Sequence, residues 1–326
     1  MSPGDEVAQL LRERSGLTKD ELRALSVPSP SRWGLELFAF WTLMIGLLQL
    51  AITVGISAWL LPIVLLMACL QNGMILWTHE GAHVNLVRDR RLNDVLADLL
   101  ICGPIGVYIG SYRWHHGRHH RYLGDPREEI ELSAFYCIRG PDLFRHIARH
   151  LFGEVALSII LRRKRNLDRR FGPPPPRSPA AWLGLALVNG GLVALCALQG
   201  AFWTYPLVWG FPLVTLAPMI SNFRTIVEHQ PSSDVCESGM QAPVPAITRV
   251  VDANLLERAL IAPVGFHYHY EHHLYPGIPY HQLPAVRRIL ASRGHYDAPG
   301  LVRSKGYLRT VWRLSSEANF GVRVPR

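Results

Sequence analysis

The chain has 326 residues, with 34 Lys and Arg against 25 Asp and Glu, a net charge of +9 and a mean hydropathy of +0.11. A chain that is both basic and slightly hydrophobic keeps its apolar and charged residues in separate stretches, which is typical of an integral membrane protein. Basic groups beside apolar stretches face anionic lipid headgroups. We therefore do not interpret the charge as a nucleic-acid-binding surface.

The N-terminal segment, residues 1–34, mixes acidic and basic residues and has no apolar stretch near its start. It therefore does not resemble a secretory signal peptide. We expect a cytosolic amphipathic lead-in that is ended by Pro28 and Pro30.

Two long uncharged stretches follow, residues 37–78 and 178–223. One bilayer crossing needs about 20 apolar residues, so each stretch is long enough for two helices joined by a tight turn. Buried core helices, the alternative explanation, rarely stay uncharged for so long. We predict an all-α integral membrane protein whose four transmembrane helices form two hairpins under a cytosolic helical cap. The predicted spans are residues 36–54, 58–78, 180–199 and 203–222.

Basic clusters lie between the predicted hairpins, at residues 88–91 and 162–170, and recur from Arg287 onward. Short basic loops remain on the cytosolic side of a membrane, so we expect both termini and the central segment to be cytoplasmic. A shorter apolar run, Leu99–Tyr112, is broken by glycines and a proline and is expected to lie in the interface or to re-enter from it. We interpret the whole chain, 1–326, as a single domain with its core at 35–290 and a basic cytosolic tail at 291–326.

Histidine is concentrated in three clusters, each beside an apolar stretch. H-E-G-A-H occupies residues 79–83, and H-x-x-H-H occurs at residues 116–120 and again at 269–273. On a helix, positions i, i+3 and i+4 share one face, so we expect each H-x-x-H-H box to aim three imidazoles at one point. Eight imidazoles exceed the ligands of one zinc ion and favour two first-row metal ions, although imidazole alone does not choose between iron, copper, nickel and zinc.

H-E-x-x-H on a helix is also the zinc-protease signature, in which His79 and His83 bind one metal ion and Glu80 acts as general base. A protease of that kind needs one further ligand and leaves both H-x-x-H-H boxes unexplained. We therefore interpret Glu80 as a hydrogen-bonding neighbour of a ligand and keep a membrane zinc protease as a remote alternative.

The boxes and their surroundings resemble the membrane fatty acid desaturase and hydroxylase superfamily over roughly residues 35–290. H-E-G-A-H followed by R-R-L-N-D is similar to the first box of many bacterial members, and R-H-H-R-Y-L-G-D-P and Y-H-Y-E-H-H-L-Y-P-G-I-P-Y-H-Q-L-P are similar to the second and third. The resemblance implies a non-haem di-iron centre and one further ligand, His229, in an R-x-x-x-E-H element. The implied ligands are His79, His83, His116, His119, His120, His229, His269, His272 and His273.

Several other polar residues lie near the boxes. Ligating imidazoles usually donate their second N–H to carboxylates, and the candidate neighbours are Glu80, Asp125, Asn222, Glu228 and Glu271, with Asn222 acting through a water. His115 and His267 are off the shared spacing and are interpreted as packing or outer residues, although a box that begins at His115 remains open. Histidines in basic amphipathic segments are expected to be solvated, and these are His146, His150, His281 and His295.

The resemblance implies an oxidoreductase that uses two Fe2+ ions and O2 to oxidise an unactivated C–H bond. Desaturation of a fatty acyl chain, in a lipid or on a carrier, is the primary hypothesis. The alternative is a hydroxylase or ketolase that acts on a carotenoid, a sphingolipid or a specialised metabolite. His269 occupies a position where front-end desaturases with a fused cytochrome carry glutamine, which argues against that subgroup.

Electrons are expected to come from another protein. The sequence has no H-P-G-G haem motif and no G-x-G-x-x-G after a strand. Its five cysteines lack C-x-x-C spacing, which excludes an iron–sulfur or thiolate zinc site of the usual spacings. Because acidic electron carriers are steered to positive surfaces, we expect a ferredoxin, a rubredoxin or a cytochrome to dock on the basic cytosolic face.

Overall fold

The computed structural model describes residues 16–123, 125, 138–158, 172–229, 247–298 and 301–317. Most of these residues are helical. The two short strands, β1 (Val250–Val251) and β2 (Arg303–Ser304), pair in parallel.

The α-helices are numbered in chain order. They are α1 (Lys19–Leu25), α2 (Pro30–Val54), α3 (Leu60–Ala82), α4 (Arg90–Ala97), α5 (Ile109–Arg121), α6 (Gly140–Leu151), α7 (Glu154–Ser158), α8 (Pro179–Leu198), α9 (Phe211–Val214), α10 (Leu216–Glu228), α11 (Leu255–Leu260), α12 (His269–Leu274), α13 (Leu283–Ser292) and α14 (Tyr307–Ser316). Two π-helical segments, Asp98–Cys102 and Tyr205–Gly210, and 3-10 turns at Phe266–Tyr268, Tyr280–Gln282 and His295–Asp297 complete the helical elements.

The described residues form two compact units. The first, here called the histidine unit, takes its residues from 1–27, 115–145 and 222–326. The second, here called the membrane unit, takes its residues from 28–114 and 146–221.

Within the described ranges, four helical segments are long and apolar enough to cross a membrane, which confirms the predicted number of candidate spans. They are α2, α3, α8 and the run Tyr205–Glu228. α2 begins at Pro30, six residues before the predicted start of the first span at residue 36. Proline is favoured at this position since its fixed φ suits the first helical turn and its missing N–H would have no helical partner there. α3 continues past the predicted end at residue 78 to Ala82 and so includes most of H-E-G-A-H.

The membrane unit is packed closely where the first π-helical segment meets α8. A Cβ atom on Gly184 would lie 2.5 Å from the carbonyl oxygen of Leu99, and one on Gly103 would lie 2.6 Å from that of Ala181. Only residues without a side chain permit this approach, as in helix contacts within membranes. The start of the predicted interfacial run, including the buried Ile101, is therefore folded against α8.

Polar side chains join the spanning helices of the membrane unit. Asn189 of α8 accepts hydrogen bonds from the Tyr205 hydroxyl and from Trp209 Nε1, each at 3.0 Å. Gln71 of α3 donates to the Trp209 carbonyl oxygen at 2.9 Å. Such bonds hold transmembrane helices together because lipid offers no competing partner.

The histidine unit has an apolar cluster of Ile278, Leu283, Val286 and Leu290. Leu17, just before α1, and Leu25, the last residue of α1, pack against it. The Leu17 N–H donates to the Tyr275 hydroxyl at 2.9 Å, and Arg293 donates to Glu21 at 2.6 Å. Residues 17–25 of the lead-in are thus built into the histidine unit next to the third histidine box.

Candidate metal centre

Seven of the nine predicted ligands lie in the histidine unit. Three are on α5, three are on α12, and His229 follows directly after α10. They divide between two clusters, here called cluster A and cluster B.

Cluster A consists of His119, His229, His269 and His273, all buried, with one nitrogen of each within 4.8 Å of the others. The Nε2 atom of His269 lies 2.7 Å from Nε2 of His229 and 3.0 Å from Nε2 of His273. Nε2 of His119 lies 3.2 Å from Nε2 of His273. Four imidazoles from three chain segments therefore turn the same ring nitrogen towards one point.

Cluster B consists of three residues of the histidine unit, His116, His120 and His272, whose ligand nitrogens also lie within 4.8 Å of one another. Nε2 of His120 is 3.0 Å from Nε2 of His116 and 3.0 Å from Nε2 of His272. The His120 and His273 rings are stacked with centroids 4.5 Å apart, so the two clusters are neighbours.

The structure divides each H-x-x-H-H box between the clusters, contrary to the expectation that a box aims all three rings at one point. In the second box, positions i and i+4 (His116, His120) belong to cluster B and position i+3 (His119) to cluster A. In the third box, His269 and His273 belong to cluster A and His272 to cluster B. With 3.6 residues per turn, positions i and i+4 differ in direction by about 40°, while i+3 and i+4 differ by about 100°. The i+3 ring therefore points towards the other cluster.

The remaining two predicted ligands, His79 and His83, lie at the carboxyl end of α3 in the membrane unit. Their ring centroids are 4.7 Å apart. Glu80 is buried between hydrogen-bonding groups: its carboxylate is 3.4 Å from His79 Nδ1 and accepts a hydrogen bond from Asn85 Nδ2 at 3.2 Å. This contact agrees with the interpretation of Glu80 as a neighbour of a ligand.

A set of donors binds the carbonyl oxygens at the end of α3. Asn93 donates to the Gly81 carbonyl at 2.8 Å. Arg113 donates to the Ala82 carbonyl at 2.8 Å and is paired with Asp94 at 2.8 Å. These contacts explain why R-R-L-N-D accompanies the first box, since its Asn and Asp fix the helix end that carries it. Sequence reasoning missed Arg113, although it lies only three residues before the second box.

Two valines beside the boxes have a backbone conformation that β-branched residues rarely adopt. Val84 (φ 61°) follows His83, and Val264 (φ 58°) precedes the 3-10 turn that leads into α12. At Val84, the Asn85 N–H bonds to the Glu80 carbonyl and the Val84 N–H to the Gly81 carbonyl, a helix ending that normally uses glycine. Strain of this kind, of order 1–3 kcal/mol, concentrates at functional sites.

Two carboxylates of the histidine unit are each held by an arginine and a tyrosine. Glu228 pairs with Arg224 and accepts a hydrogen bond from the Tyr307 hydroxyl at 2.7 Å. Glu271 accepts hydrogen bonds from Arg287 at 2.7 and 3.0 Å and from the Tyr296 hydroxyl. The sequence indicated the two glutamates but not these partners.

The other two candidate neighbours are less enclosed. Asp125 and Asn222 are half-buried, and the Asp125 N–H donates to the Tyr122 carbonyl at 2.8 Å. Their proposed contact with a ligand remains a prediction.

Histidines outside the ligand set are mostly buried, so the expectation that they are solvated is wrong for His146, His150 and His295. His150 Nδ1 donates to the His146 carbonyl oxygen at 2.9 Å, and His295 Nε2 lies 2.9 Å from the Tyr270 hydroxyl. His281 is half-buried. The sequence showed a basic segment, but the histidines of α6 lie on its inward face.

The two histidines that flank the boxes take no part in either cluster among the described residues. This result favours the box that begins at His116 over the one that begins at His115. Burial is the main cause that lowers the pKa of His267 to about 3. His267 is therefore neutral and packed beside the third box, as expected.

The donor set fits first-row metal ions. Burial, followed by the nearby His119, Arg224 and His120, lowers the pKa of His229 well below its usual value. Burial and the surrounding imidazoles lower the pKa of His273 in the same way. Both rings are thus neutral at physiological pH, which is the form that coordinates metals. Carboxylates are absent from cluster A among the described residues, which does not suit hard cations such as Ca2+ or Mg2+.

Comparison with known proteins gives a consistent result. A family model for fatty acid desaturases matches residues 29–301. The chain is 31% identical over 252 residues to a dihydrorhizobitoxine desaturase from Bradyrhizobium elkanii, with 73% of this chain and 69% of the relative covered. It is 28% identical over 239 residues to a zeaxanthin 4-ketolase from Chlamydomonas reinhardtii, with 71% and 44% covered.

A shorter match of 117 residues, at 32% identity and covering 33% of each chain, links it to a ceramide hydroxylase from Caulobacter vibrioides. The resemblance seen in the histidine boxes is therefore confirmed over most of the chain. The chain belongs to the fatty acid desaturase family.

Proposed function

We propose that this protein is a membrane-bound, O2-dependent di-iron oxidoreductase that introduces a double bond into a fatty acyl chain, carried by a lipid or by a carrier. The observation that supports this proposal best is the pair of neighbouring imidazole clusters. Seven histidines of the histidine unit form them, and their Nε2 atoms converge in each cluster. Two groups of imidazoles suit two metal ions, whereas a single zinc ion takes at most four ligands.

The proposed ligand set is the nine histidines implied by the family resemblance, with His79 and His83 supplied by H-E-G-A-H. Two Fe2+ ions bound there would supply activation of O2 and removal of hydrogen from an unactivated C–H bond. The chain's own residues hold the neutral imidazoles in place and keep water away, as the burial of cluster A indicates. The spanning helices, which are apolar over most of their length, offer an environment for a hydrocarbon chain.

Hydroxylation or ketolation is the second candidate, and the relatives supply the observation that favours it. One is a ketolase that acts on zeaxanthin and another is a ceramide hydroxylase. The same site would serve either outcome, since only the fate of the substrate after the first hydrogen is removed differs. The alternative substrate would be a carotenoid, a sphingolipid or a specialised metabolite.

The proposed electron donor is an external ferredoxin, rubredoxin or cytochrome with its reductase. Exposed basic side chains on the histidine unit support a docking surface for an acidic carrier; they include Arg121, Arg258, Arg288, Lys305 and Arg309. If this charge steers the donor, the second-order rate of reduction should fall steeply as ionic strength rises. A rate that is independent of salt would contradict charge-steered docking.

The proposed topology has four crossings in two hairpins, with both termini and the metal centre in the cytoplasm. It is supported by the four apolar helices and by the basic segments that follow each pair in the sequence. Tags at residues 1 and 326 should be protected from a membrane-impermeant label in intact cells. Labelling of either tag from outside would refute this orientation.

Two measurements test the proposed function. Metal analysis of the purified protein should give two irons per chain, whereas one zinc would support the protease alternative. Mass spectrometry of lipids from cells that express the protein should show loss of two hydrogens from an acyl chain. A gain of one oxygen would select the hydroxylase, and neither change in an iron-loaded, reduced protein would contradict both. His120→Ala is the matched control, since it removes one imidazole and leaves the spanning helices unchanged.

A further inference from the structure

A buried carboxylate lies next to the ligand nitrogens of cluster A. Glu228 is fully buried, and its Oε2 atom lies 3.7 Å from Nε2 of His269. The following residue, His229, places its own Nε2 2.7 Å from the same His269 nitrogen. A small rotation of the Glu228 side chain would therefore change the charge and the ligands that a metal ion in cluster A meets.

Both oxygens of this carboxylate are held. Arg224, one turn earlier on α10, pairs with Oε2, and the hydroxyl of Tyr307 donates to Oε1 at 2.7 Å. The Arg224 guanidinium also stacks over the Phe266 ring, with 4.1 Å to its centroid, and the Phe266 ring stacks on His269 at 5.2 Å. Of the two clamping groups, only Tyr307 comes from a distant part of the chain.

Tyr307 lies beyond residue 301, where the match to the family model ends. Its position is nevertheless fixed by the rest of the histidine unit. The parallel pairing of β2 with β1 leads the chain to it, and the N–H of Leu308 donates to Glu257 at 2.9 Å. A Cβ atom on Gly306 would lie 2.6 Å from the Glu257 carboxylate, so this turn requires glycine at a φ of 85°.

We propose that Tyr307 is a positioning residue of the metal centre, and that the C-terminal segment is therefore a functional part of the site. This assignment rests on the proposed function, because it presupposes that cluster A binds iron. The phenol fixes one oxygen of Glu228 while Arg224 fixes the other. The carboxyl group then remains beside His269 and His229 and does not rotate into the site. Buried carboxylates around metal ligands act in this way, and their loss typically weakens metal binding or activity about 10- to 100-fold.

The decisive variant is Tyr307→Phe, which removes the hydroxyl and leaves the ring. The readout is the half-life of bound iron when the full-length protein, in detergent or lipid nanodiscs, is mixed with a chelator. We expect iron to be lost about 10-fold faster than from the parent protein, and the spectroscopic signal of the reduced iron to change. Turnover is measured in parallel but does not decide the question.

Thr310→Val is the matched control. Thr310 is buried in the same helix and donates its hydroxyl to the Gly306 carbonyl at 2.7 Å, so the substitution removes a buried hydroxyl from α14 without touching Glu228. Iron should leave this variant at close to the parental rate. Equal acceleration in both variants would overturn the assignment, because the effect would then be loosened packing of α14.

A double substitution tests whether Tyr307 acts through Glu228. Glu228→Gln alone should accelerate iron loss, and Tyr307→Phe added to it should produce little further change, since coupled residues are not additive. Glu228→Gln also serves alone if Tyr307→Phe does not accumulate in membranes. If Tyr307→Phe loses iron no faster than the parent protein, the assignment is refuted while the proposed function stands. The same result in Glu228→Gln refutes it when Tyr307→Phe does not accumulate. A parent protein that takes up no iron would overturn both.

Discussion

Two helices of this protein carry the same pattern, a pair of histidines one turn apart. In α5 the pair is His116 and His120, and in α6 it is His146 and His150. The ring centroids are 4.5 Å apart in both pairs. The α6 histidines are the more completely buried, while those of α5 are half-buried. Neither the spacing nor the burial thus distinguishes a ligand pair from a structural pair.

The difference lies in what other chain segments bring to each pair. His120 has Nε2 of His272, from α12, 3.0 Å from its own Nε2. His150 instead donates Nδ1 to the carbonyl oxygen of His146, within the same helix. Among the described residues, no group of three or more metal-binding side chains includes either histidine of α6. A local motif supplies two imidazoles, and only tertiary structure brings a third beside them.

The largest expected effect comes from breaking the α5 pair. His120→Ala should reduce turnover to background and lower the iron content, because it removes one imidazole of cluster B. The spanning helices do not depend on metal, so the variant should still insert into the membrane. Activity assays and metal analysis of the purified protein check this. His119→Ala tests cluster A in the same way, and full activity in either variant would refute the ligand assignment.

Glu80→Gln should have a smaller but clear effect. Its carboxylate lies 3.4 Å from His79 Nδ1, and a glutamine oxygen can still accept a hydrogen bond. We expect turnover to fall about 10- to 100-fold with iron still bound, as for other outer partners of metal ligands. His83→Ala, the comparison variant, should have no turnover. Intact metal with no oxidation in Glu80→Gln, together with peptide cleavage by the parent protein, would support the protease instead.

Breaking the α6 pair should affect stability rather than chemistry. His150→Ala removes a buried ring and a hydrogen bond to the His146 carbonyl, which costs about 1–3 kcal/mol of unfolding free energy. Turnover per bound iron should remain at the parental value. Thermal unfolding in detergent and iron-normalised activity measure the two quantities. Loss of iron at full stability would instead identify α6 as part of a metal site.

Much of the site could be predicted from the sequence, because helical periodicity and long uncharged stretches are local signals. The same periodicity also predicts that each box divides between the two clusters, because the side chain at i+3 points in a different direction from those at i and i+4. The burial of His146 and His150 could have been predicted as well. Together with Leu143 they follow an i, i+3, i+7 pattern on α6, whereas the prediction relied on the segment's net charge.

Other features had no local signal. Tyr307 reaches Glu228, and Tyr296 reaches Glu271, only through the tertiary fold. Arg113 binds the carbonyl oxygens of Gly81 and Ala82 across 31 or 32 positions of sequence. Single-sequence reasoning identifies residue types that need partners, but it does not specify which distant residue will supply them.

The smallest expected effect is on the pH dependence of stability. It also distinguishes the histidine pair of α6 from the histidine pair of α5. Burial, followed by the neighbouring His150 and Arg149, lowers the pKa of His146 to about 4, against about 6.5 in the unfolded chain. Between these values the unfolded chain binds a proton that the folded chain does not. The unfolding free energy should therefore fall as pH drops from about 6.5 towards 4, and rise with pH over the same window.

His146→Gln, which cannot titrate, should flatten this part of the stability profile. The difference in thermal midpoint between parent and variant, measured from pH 4 to pH 7, isolates the effect, because the iron ligands titrate in both proteins. If His146 is responsible, the parent should lose more stability than the variant below about pH 6.5. Parallel profiles would show that His146 is protonated as easily in the folded protein as in the unfolded chain. The interpretation of His146 and His150 as a neutral, buried pair would then be wrong. The α6 pair would share only its spacing with the α5 pair.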